Sequence, residues 1–143
     1  MKFVRAVKLG ILLVLAWLVF AAITLSPRRL CFEGGKSYTF FCGTSSADCR
    51  EVTVSGDKAE STFLSLLNVC GEAATYENAD AEQIIKKLGA KIVAKEEFCD
   101  GVNYYCKADL PYSVELFGTE INLHVAVKGE SVKVGSPVIF GGY

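Results

Sequence analysis

Six cysteines and one histidine are the residues of this 143-residue sequence best suited to chemistry. The cysteines are Cys31, Cys42, Cys49, Cys70, Cys99 and Cys106. No two of them have the Cys-x-x-Cys spacing that is typical of zinc sites and thioredoxin-type redox centres. An even number of cysteines instead favours a disulfide framework in an exported domain, and the spacing alone does not choose among the possible pairings.

The remaining candidates for catalysis or ligand binding do not form a convergent set. His124 is the only histidine, so a two-histidine metal site is excluded. Glu96 and Glu97 are neighbours in a β-rich run and point to opposite faces of a strand, so they do not act as paired carboxylates. The glycine pairs at 34–35 and 141–142 lack the strand–loop–helix context of a phosphate loop. We therefore predict no catalytic residue, no cofactor and no metal site.

An apolar run at residues 9–25 decides in which compartment the cysteines lie. It contains no charge and no proline, it would form about 25 Å of helix, and three basic residues precede it. We expect it to enter a membrane, either as an uncleaved single-pass signal anchor or as a cleaved signal peptide. Residues 1–30 are then the leader and its linker, and residues 31–143 are an extracytoplasmic domain, attached to the cell membrane or secreted.

The charge of the chain is distributed unevenly about this leader. All sixteen acidic residues follow Cys31, whereas only ten of the fifteen basic residues do, so the predicted domain carries a net charge of −6. A surface of this sign is repelled by a phosphate backbone and gains nothing from counterion release. We therefore exclude nucleic acid as a partner.

The first part of the domain is predicted to form a β-hairpin. The β-rich residues 37–42 and 49–55 flank a short polar loop. The two ends of this loop place Cys42 opposite Cys49, and these two cysteines are the preferred disulfide pair.

Two amphipathic helices follow, separated by a strand. The first begins at Asp57, which caps the helix together with Glu60, and its apolar stripe extends to Cys70. The second is capped by Asn78 or Asp80. Several further strands complete the chain, so we predict an α+β domain in which both helices lie on one face of a mostly antiparallel sheet.

The later strands suggest where a ligand would bind. A two-residue Asp100-Gly101 turn would place Cys106 opposite Lys95, too far from Cys99 for a disulfide. Alternation along residues 121–128 sends Asn122 and His124 to the second face of the sheet. Together with an outward-facing Tyr105, these two residues form a possible binding face.

The closing 23 residues, at 121–143, carry a longer pattern. It reads Asn122-Leu123-His124-Val125-Ala126, then Lys128, then Val132-Lys133-Val134-Gly135-Ser136-Pro137-Val138, and a terminal Tyr143. This pattern resembles the end of the YwmB-like exported proteins of spore-forming Gram-positive bacteria. The resemblance implies a TATA-box-binding-protein-like α+β fold and transfers no catalytic residue.

These observations lead to one main functional hypothesis and two alternatives. The main hypothesis is a non-enzymatic extracytoplasmic domain that binds an envelope protein or a wall component. One alternative is a small wall-active or thiol-active enzyme. The other is a structural bridge in an envelope assembly, which predicts a broad apolar patch instead of a pocket.

Overall fold

The computed structural model describes residues 2–24, 28–44, 48–116 and 118–140, which form three α-helices and nine strands. In chain order these are α1 (Lys2–Thr24), β1 (Ser37–Cys42), β2 (Arg50–Ser55), α2 (Ala59–Ser65), β3 (Val69–Glu77), α3 (Ala81–Lys87), β4 (Lys91–Phe98), β5 (Gly101–Lys107), β6 (Val114–Leu116), β7 (Thr119–Ile121), β8 (Leu123–Lys128) and β9 (Ser131–Ser136). A 3₁₀ turn at Gly56–Lys58 precedes α2. Leu25, the glycines at 141–142 and Tyr143 lie outside the described residues.

Seven strands form one sheet in the order β2-β1-β3-β9-β8-β5-β4, and every neighbouring pair is antiparallel. Strands β6 and β7 form a separate two-stranded hairpin. The predicted α+β class and the mostly antiparallel sheet are confirmed. In the described part of the chain, β2 and β4 are the two edges of the large sheet.

One face of this sheet carries the main hydrophobic core, and we call it the helix face. Alternation along the strands sends Phe40, Leu123 and Val125 to this face, and all three are fully buried. Helix α2 packs Phe63 against Phe40 with ring centroids 5.5 Å apart, and α3 contributes the buried Ile85. Each such side chain contributes about 1.5–3 kcal/mol through burial. The prediction that both helices share one face is confirmed.

A buried carboxylate attaches the residues after α1 to the helix face. Glu72 of β3 has no exposed surface, and its two carboxylate oxygens accept hydrogen bonds from the amides of Cys31 (2.9 Å) and Phe32 (3.2 Å). The Tyr38 hydroxyl donates to the Phe32 carbonyl at 3.1 Å. Burial raises the pKa of Glu72, while the two amides oppose that shift. These contacts hold residues 31 and 32 against the centre of the sheet.

Residues 137–140, which we call the strap, pack on the opposite face of the sheet, which we call the strap face. Phe140 packs on Phe41 with ring centroids 4.7 Å apart. A Cβ at Gly71 would lie 2.9 Å from the Phe140 ring, and one at Gly135 would lie 2.9 Å from Ile139. Glycine at these two positions therefore lets the strap lie directly on the strands.

The prediction for the first helix is wrong at both ends. Lys58 is the N-cap of α2 and makes no side-chain hydrogen bond to the helix, so Asp57 and Glu60 form no capping box. The helix ends at Ser65 because Leu66 takes an extended conformation with a ψ of 144°, and Asn68 then takes a positive φ of 53° before β3. Cys70 therefore lies on a strand and is exposed.

The cap of the second helix is resolved in favour of Asp80. Its carboxylate accepts hydrogen bonds from the amides of Glu82 (2.9 Å) and Gln83 (3.4 Å) at the start of α3. Asn78, the other predicted cap, lies outside the helix and has a positive φ of 51°.

The predicted register of the β4–β5 hairpin is also wrong. Phe98 pairs with Gly101, so Cys99 and Asp100 form the turn. A bulge between Ile92 and Ala94 shifts the pairing further, and Cys106 lies opposite Ile92 instead of Lys95. Gly101 has a different role from the expected one, because a Cβ there would collide with the Val127 carbonyl oxygen of β8.

Helix α1 exposes its apolar side chains on all sides. The large apolar residues from Val7 (46% exposed) to Ile23 (70% exposed) are all exposed. Among the described residues, no helix meets the length and hydropathy expected of a membrane span.

The Glu72 contacts lead to a prediction about stability. Glu72→Gln replaces one acceptor oxygen by an amino group, which leaves the amide of Cys31 or Phe32 without an acceptor. We expect the free energy of unfolding in urea at neutral pH to fall by about 1–3 kcal/mol. Glu115→Gln, at an exposed position, is the matched control and should change it by less than about 0.5 kcal/mol. Equal effects of the two substitutions would contradict this role of Glu72.

Candidate functional site

Two of the three residues predicted to form a binding face lie together on the strap face. Tyr105 of β5 pairs with His124 of β8, and their rings stack with centroids 4.7 Å apart and an interplanar angle of 20°. The Tyr105 hydroxyl donates to Glu96 Oε2 on β4 at 3.0 Å. Burial, followed by this carboxylate, raises the pKa of Tyr105. Three adjacent strands therefore fix one aromatic pair, whose role in binding stays a prediction.

His124 is held as a neutral imidazole. Its Nδ1 accepts a hydrogen bond from the amide of Ile139 in the strap at 3.3 Å, which places the ring proton on Nε2. Burial lowers the pKa of His124 from 6.5 to about 4. Nε2 is buried and contacts no hydrogen-bond acceptor within the described residues. An unpartnered donor of this kind costs about 1–3 kcal/mol.

A cavity of about 380 Å³ lies beside this imidazole. It is lined by Phe98, Asp100, Gly101, Val102, Asn103, His124, Val127, Lys128 and Ile139. Phe98 and Ile139 provide apolar walls, and the Asn103 amide adds a donor and an acceptor. At the rim, Lys128 Nζ lies 3.3 Å from Asp100 Oδ2. The cavity thus combines apolar surface with a few polar groups, as ligand sites commonly do.

The third predicted residue, Asn122, has a structural position. Its side chain is buried, its amide oxygen accepts from the Ala108 amide, and its amino group donates to the Ala108 carbonyl, both at 2.6 Å. These two bonds occupy the polar groups of the Asn122 side chain and tie residue 108 to the start of β8. The structure therefore separates Asn122 from the pair of Tyr105 and His124.

The edge strand β4 borders this cavity. All eight of its residues are exposed, including Ile92 (45%), Val93 (41%) and Phe98 (57%). A second cavity, of about 200 Å³, lies on the same edge between Val93, Tyr105 and the β6–β7 hairpin. The free edge of β4 and the two cavities beside it are together called the β4 groove.

The six cysteines are all present as free thiols in the structure. The prediction that Cys42 lies opposite Cys49 is wrong by one residue, because Cys42 pairs with Arg50 and Cys49 immediately precedes β2. Burial raises the pKa of Cys106 to about 11 and also raises that of Cys31, while Cys99 is exposed in the β4–β5 turn. The predicted disulfide between Cys42 and Cys49 stays a prediction.

The comparisons with known proteins add no family. No family model matches the chain, and neither a curated protein nor a solved structure is significantly similar to it. Within the described residues, no group of three or more histidine, cysteine, aspartate or glutamate side chains is arranged to hold a metal ion.

Several residues of the β4 groove were not found from the sequence. Phe98 and Asn103 belong to strands whose alternation was recognised, but the pairing of β5 with β8, which brings them to the face of His124, is a contact between distant segments that local spacing does not indicate. Ile139 reaches the site through the strap, and no periodic pattern indicates where such a segment packs. The signal that the sequence did offer for this surface was the apolar residues Ile92, Val93 and Phe98 of β4, which are exposed in the structure.

The environment of His124 predicts a pH-dependent contribution to stability. Because its pKa is about 4 in the folded chain and 6.5 ordinarily, the unfolded chain binds the proton more tightly. The contribution is complete above about pH 6.5 and is lost as the pH falls toward 4, by about 2–3 kcal/mol. Urea unfolding of the wild type and of His124→Gln between pH 7 and pH 4 measures it. The variant should lack this component, and an identical pH dependence in both proteins would contradict the assignment.

Proposed function

We propose that this chain is a non-enzymatic binding module of the cell envelope, exported by α1, that holds an extended segment of another envelope protein in the β4 groove. The observation that carries this proposal is the fully exposed edge strand β4 beside a cavity that His124 helps to line. The module is membrane-anchored if the leader stays attached and secreted if it is removed.

The backbone of β4 favours an extended partner. An edge strand presents unpaired amide and carbonyl groups, which an added strand satisfies through main-chain hydrogen bonds. Alternate side chains of such a strand would lie against the strap face, where the cavities of the β4 groove provide room. Phe98 is the largest apolar contact at this edge, and aromatic anchors commonly dominate binding energy.

The charge of the domain restricts the partner further. Residues 31–143 carry a net charge of −6, which disfavours anionic wall polymers. The acidic groups that line the groove are already engaged, since Glu96 accepts from the Tyr105 hydroxyl and Asp100 pairs with Lys128. An uncharged or basic segment therefore fits best.

Membership of the YwmB-like family, with its TATA-box-binding-protein-like fold, remains part of this proposal. Two residues of the C-terminal pattern have structural reasons to be present. Asn122 binds the backbone of Ala108, and Gly135 leaves room for the strap. The pattern is thus explained as a signature of folding, which supports a shared architecture more than a shared ligand.

A single substitution at the groove tests the binding proposal. Full-length tagged protein is cross-linked in its own host, and co-purified proteins are quantified for the wild type, for Phe98→Asp and for Leu67→Asp. Leu67 is exposed (79%) and lies outside the groove, so it is the matched control. We expect Phe98→Asp to reduce one partner by tenfold or more, about 1.4 kcal/mol or more, and Leu67→Asp to leave it unchanged.

Two outcomes would overturn the choice of partner. One is an equal loss of all co-purified proteins in both variants, which would show that the groove is not the binding site. The other is tight binding of purified, uncharged wall glycan that Phe98→Asp abolishes, which would assign the groove to a wall component.

Export by α1 is tested by fractionation. We expect the full chain to resist extraction from membranes by alkaline buffer, or a shortened mature chain to be found outside the cell. A variant with Leu12→Arg and Leu15→Arg should lose this behaviour, because each arginine costs about 2.5–3.5 kcal/mol in a bilayer. Leu64→Arg, at an exposed residue of α2, is the control. Full-length chain in the cytosol with reduced cysteines would contradict export.

A further inference from the structure

Three of the six cysteines lie at one end of the sheet, where β1 ends and β3 begins. Cys42 is the last residue of β1, Cys49 immediately precedes β2, and Cys70 is the second residue of β3. The sequence separates Cys49 and Cys70 by two elements, and the strand order places β1 between β2 and β3. A contact between Cys49 and Cys70 therefore needs the chain to cross the end of β1.

Gly43 provides that crossing. A Cβ at this position would lie 2.9 Å from the Asp48 carbonyl oxygen and 3.1 Å from the Cys49 Cα. Any other side chain would occupy the space through which residues 48 and 49 pass. On the other side of β1, the Gly43 amide donates to the Asn68 carbonyl at 2.9 Å, which draws the start of β3 to the same point.

Cys70 is fixed in place at this junction. A bulge between Phe41 and Cys42 shifts the β1–β3 register there, and the Cys70 thiol donates to the Phe41 carbonyl at 3.3 Å. The Cys49 thiol is a hydrogen-bond partner of the Cys70 thiol, and after burial its proximity is the main cause that raises the pKa of Cys70. Both residues are exposed, whereas Cys42 is buried.

We propose that Cys49 and Cys70 form a disulfide-forming thiol pair that links the β1–β2 loop to the start of β3. The Cys49 thiolate attacks one sulfur of a small-molecule or protein disulfide, which releases the other sulfur as a thiol. The Cys70 thiolate then attacks the Cys49 sulfur of this mixed disulfide and releases the second thiol. The oxidant gains two electrons and two protons, and the protein loses two hydrogens.

The structure also distinguishes this pair from the other possible pairs. Cys42 lies beside both residues, but its buried side chain faces Arg50 across the hairpin and is less accessible to an oxidant. Cys99 is equally exposed and lies in the turn between β4 and β5, at the opposite edge of the sheet. Cys99 has no other cysteine beside it in this turn, so it serves as the control for an exposed single thiol.

Peptide mapping after oxidation tests the proposal on the full chain in detergent. The reduced protein is treated with oxidised glutathione, the remaining thiols are alkylated, and the digest is analysed by mass spectrometry. Cleavage before Asp48 and after Arg50 separates Cys42 from Cys49, while cleavage after Lys58 releases the peptide that contains Cys70. We expect Cys49 linked to Cys70 as the main product and Cys99 as a glutathione adduct.

Three results would overturn the proposal. They are a dominant link between Cys42 and Cys49, a dominant link between Cys42 and Cys70, and glutathione adducts on both Cys49 and Cys70 without a link. Two variants that leave the buried Cys42 unchanged provide an independent measurement. Cys70→Ser should convert Cys49 into a glutathione adduct, and Cys99→Ser should leave the link between Cys49 and Cys70 intact.

Discussion

The described residues cover the two faces of the seven-stranded antiparallel sheet unequally. The helix face takes α2, α3 and the residues that follow α1. On the strap face, the described residues of the strap pack over Phe41, Gly71 and Gly135 near its middle. The strands beyond the strap, β5 and β4, therefore keep their polar and apolar groups open to a ligand. The β4 groove is a direct result of this unequal cover.

The two faces of the sheet also differ in how their buried polar groups are satisfied. On the helix face, a completely buried carboxylate is retained because main-chain amides satisfy both of its oxygens. On the strap face, burial keeps an imidazole neutral and leaves one ring nitrogen without an acceptor. The first arrangement is complete and serves folding. The second is incomplete in the described protein, and this is the physical difference between a structural polar group and a candidate ligand site.

The order of the strands and helices could be predicted from the sequence because alternation and helical periodicity depend on local spacing. The predictions failed where a distant segment determines the local conformation. Gly101 was interpreted as a turn residue, yet it is required by the close approach of the Val127 carbonyl on β8. The first helix ends at an extended Leu66, although the apolar periodicity of the sequence continues beyond it.

The candidate site was predicted in part for the same reason. Alternation placed His124 on the second face of its strand, and the stacked Tyr105 is its direct cross-strand neighbour. Asn122 has the same parity, but it lies just before β8, where its amide is used by the backbone at residue 108. The contacts of Ile139 and Glu72 depend on the path of segments with no periodicity, so the sequence carried no signal for them.

The contacts made just after α1 have a mechanical consequence. The Arg28 guanidinium lies 4.7 Å from the centroid of the Phe63 ring and donates to the Leu66 carbonyl at 2.9 Å, so the chain is already attached to the domain at that residue. From Thr24 to Arg28 the backbone can extend by at most about 14 Å. If α1 is held in place, the domain can therefore move only a short distance from the end of the helix. The domain would then bind only partners that lie close to the point at which α1 is held.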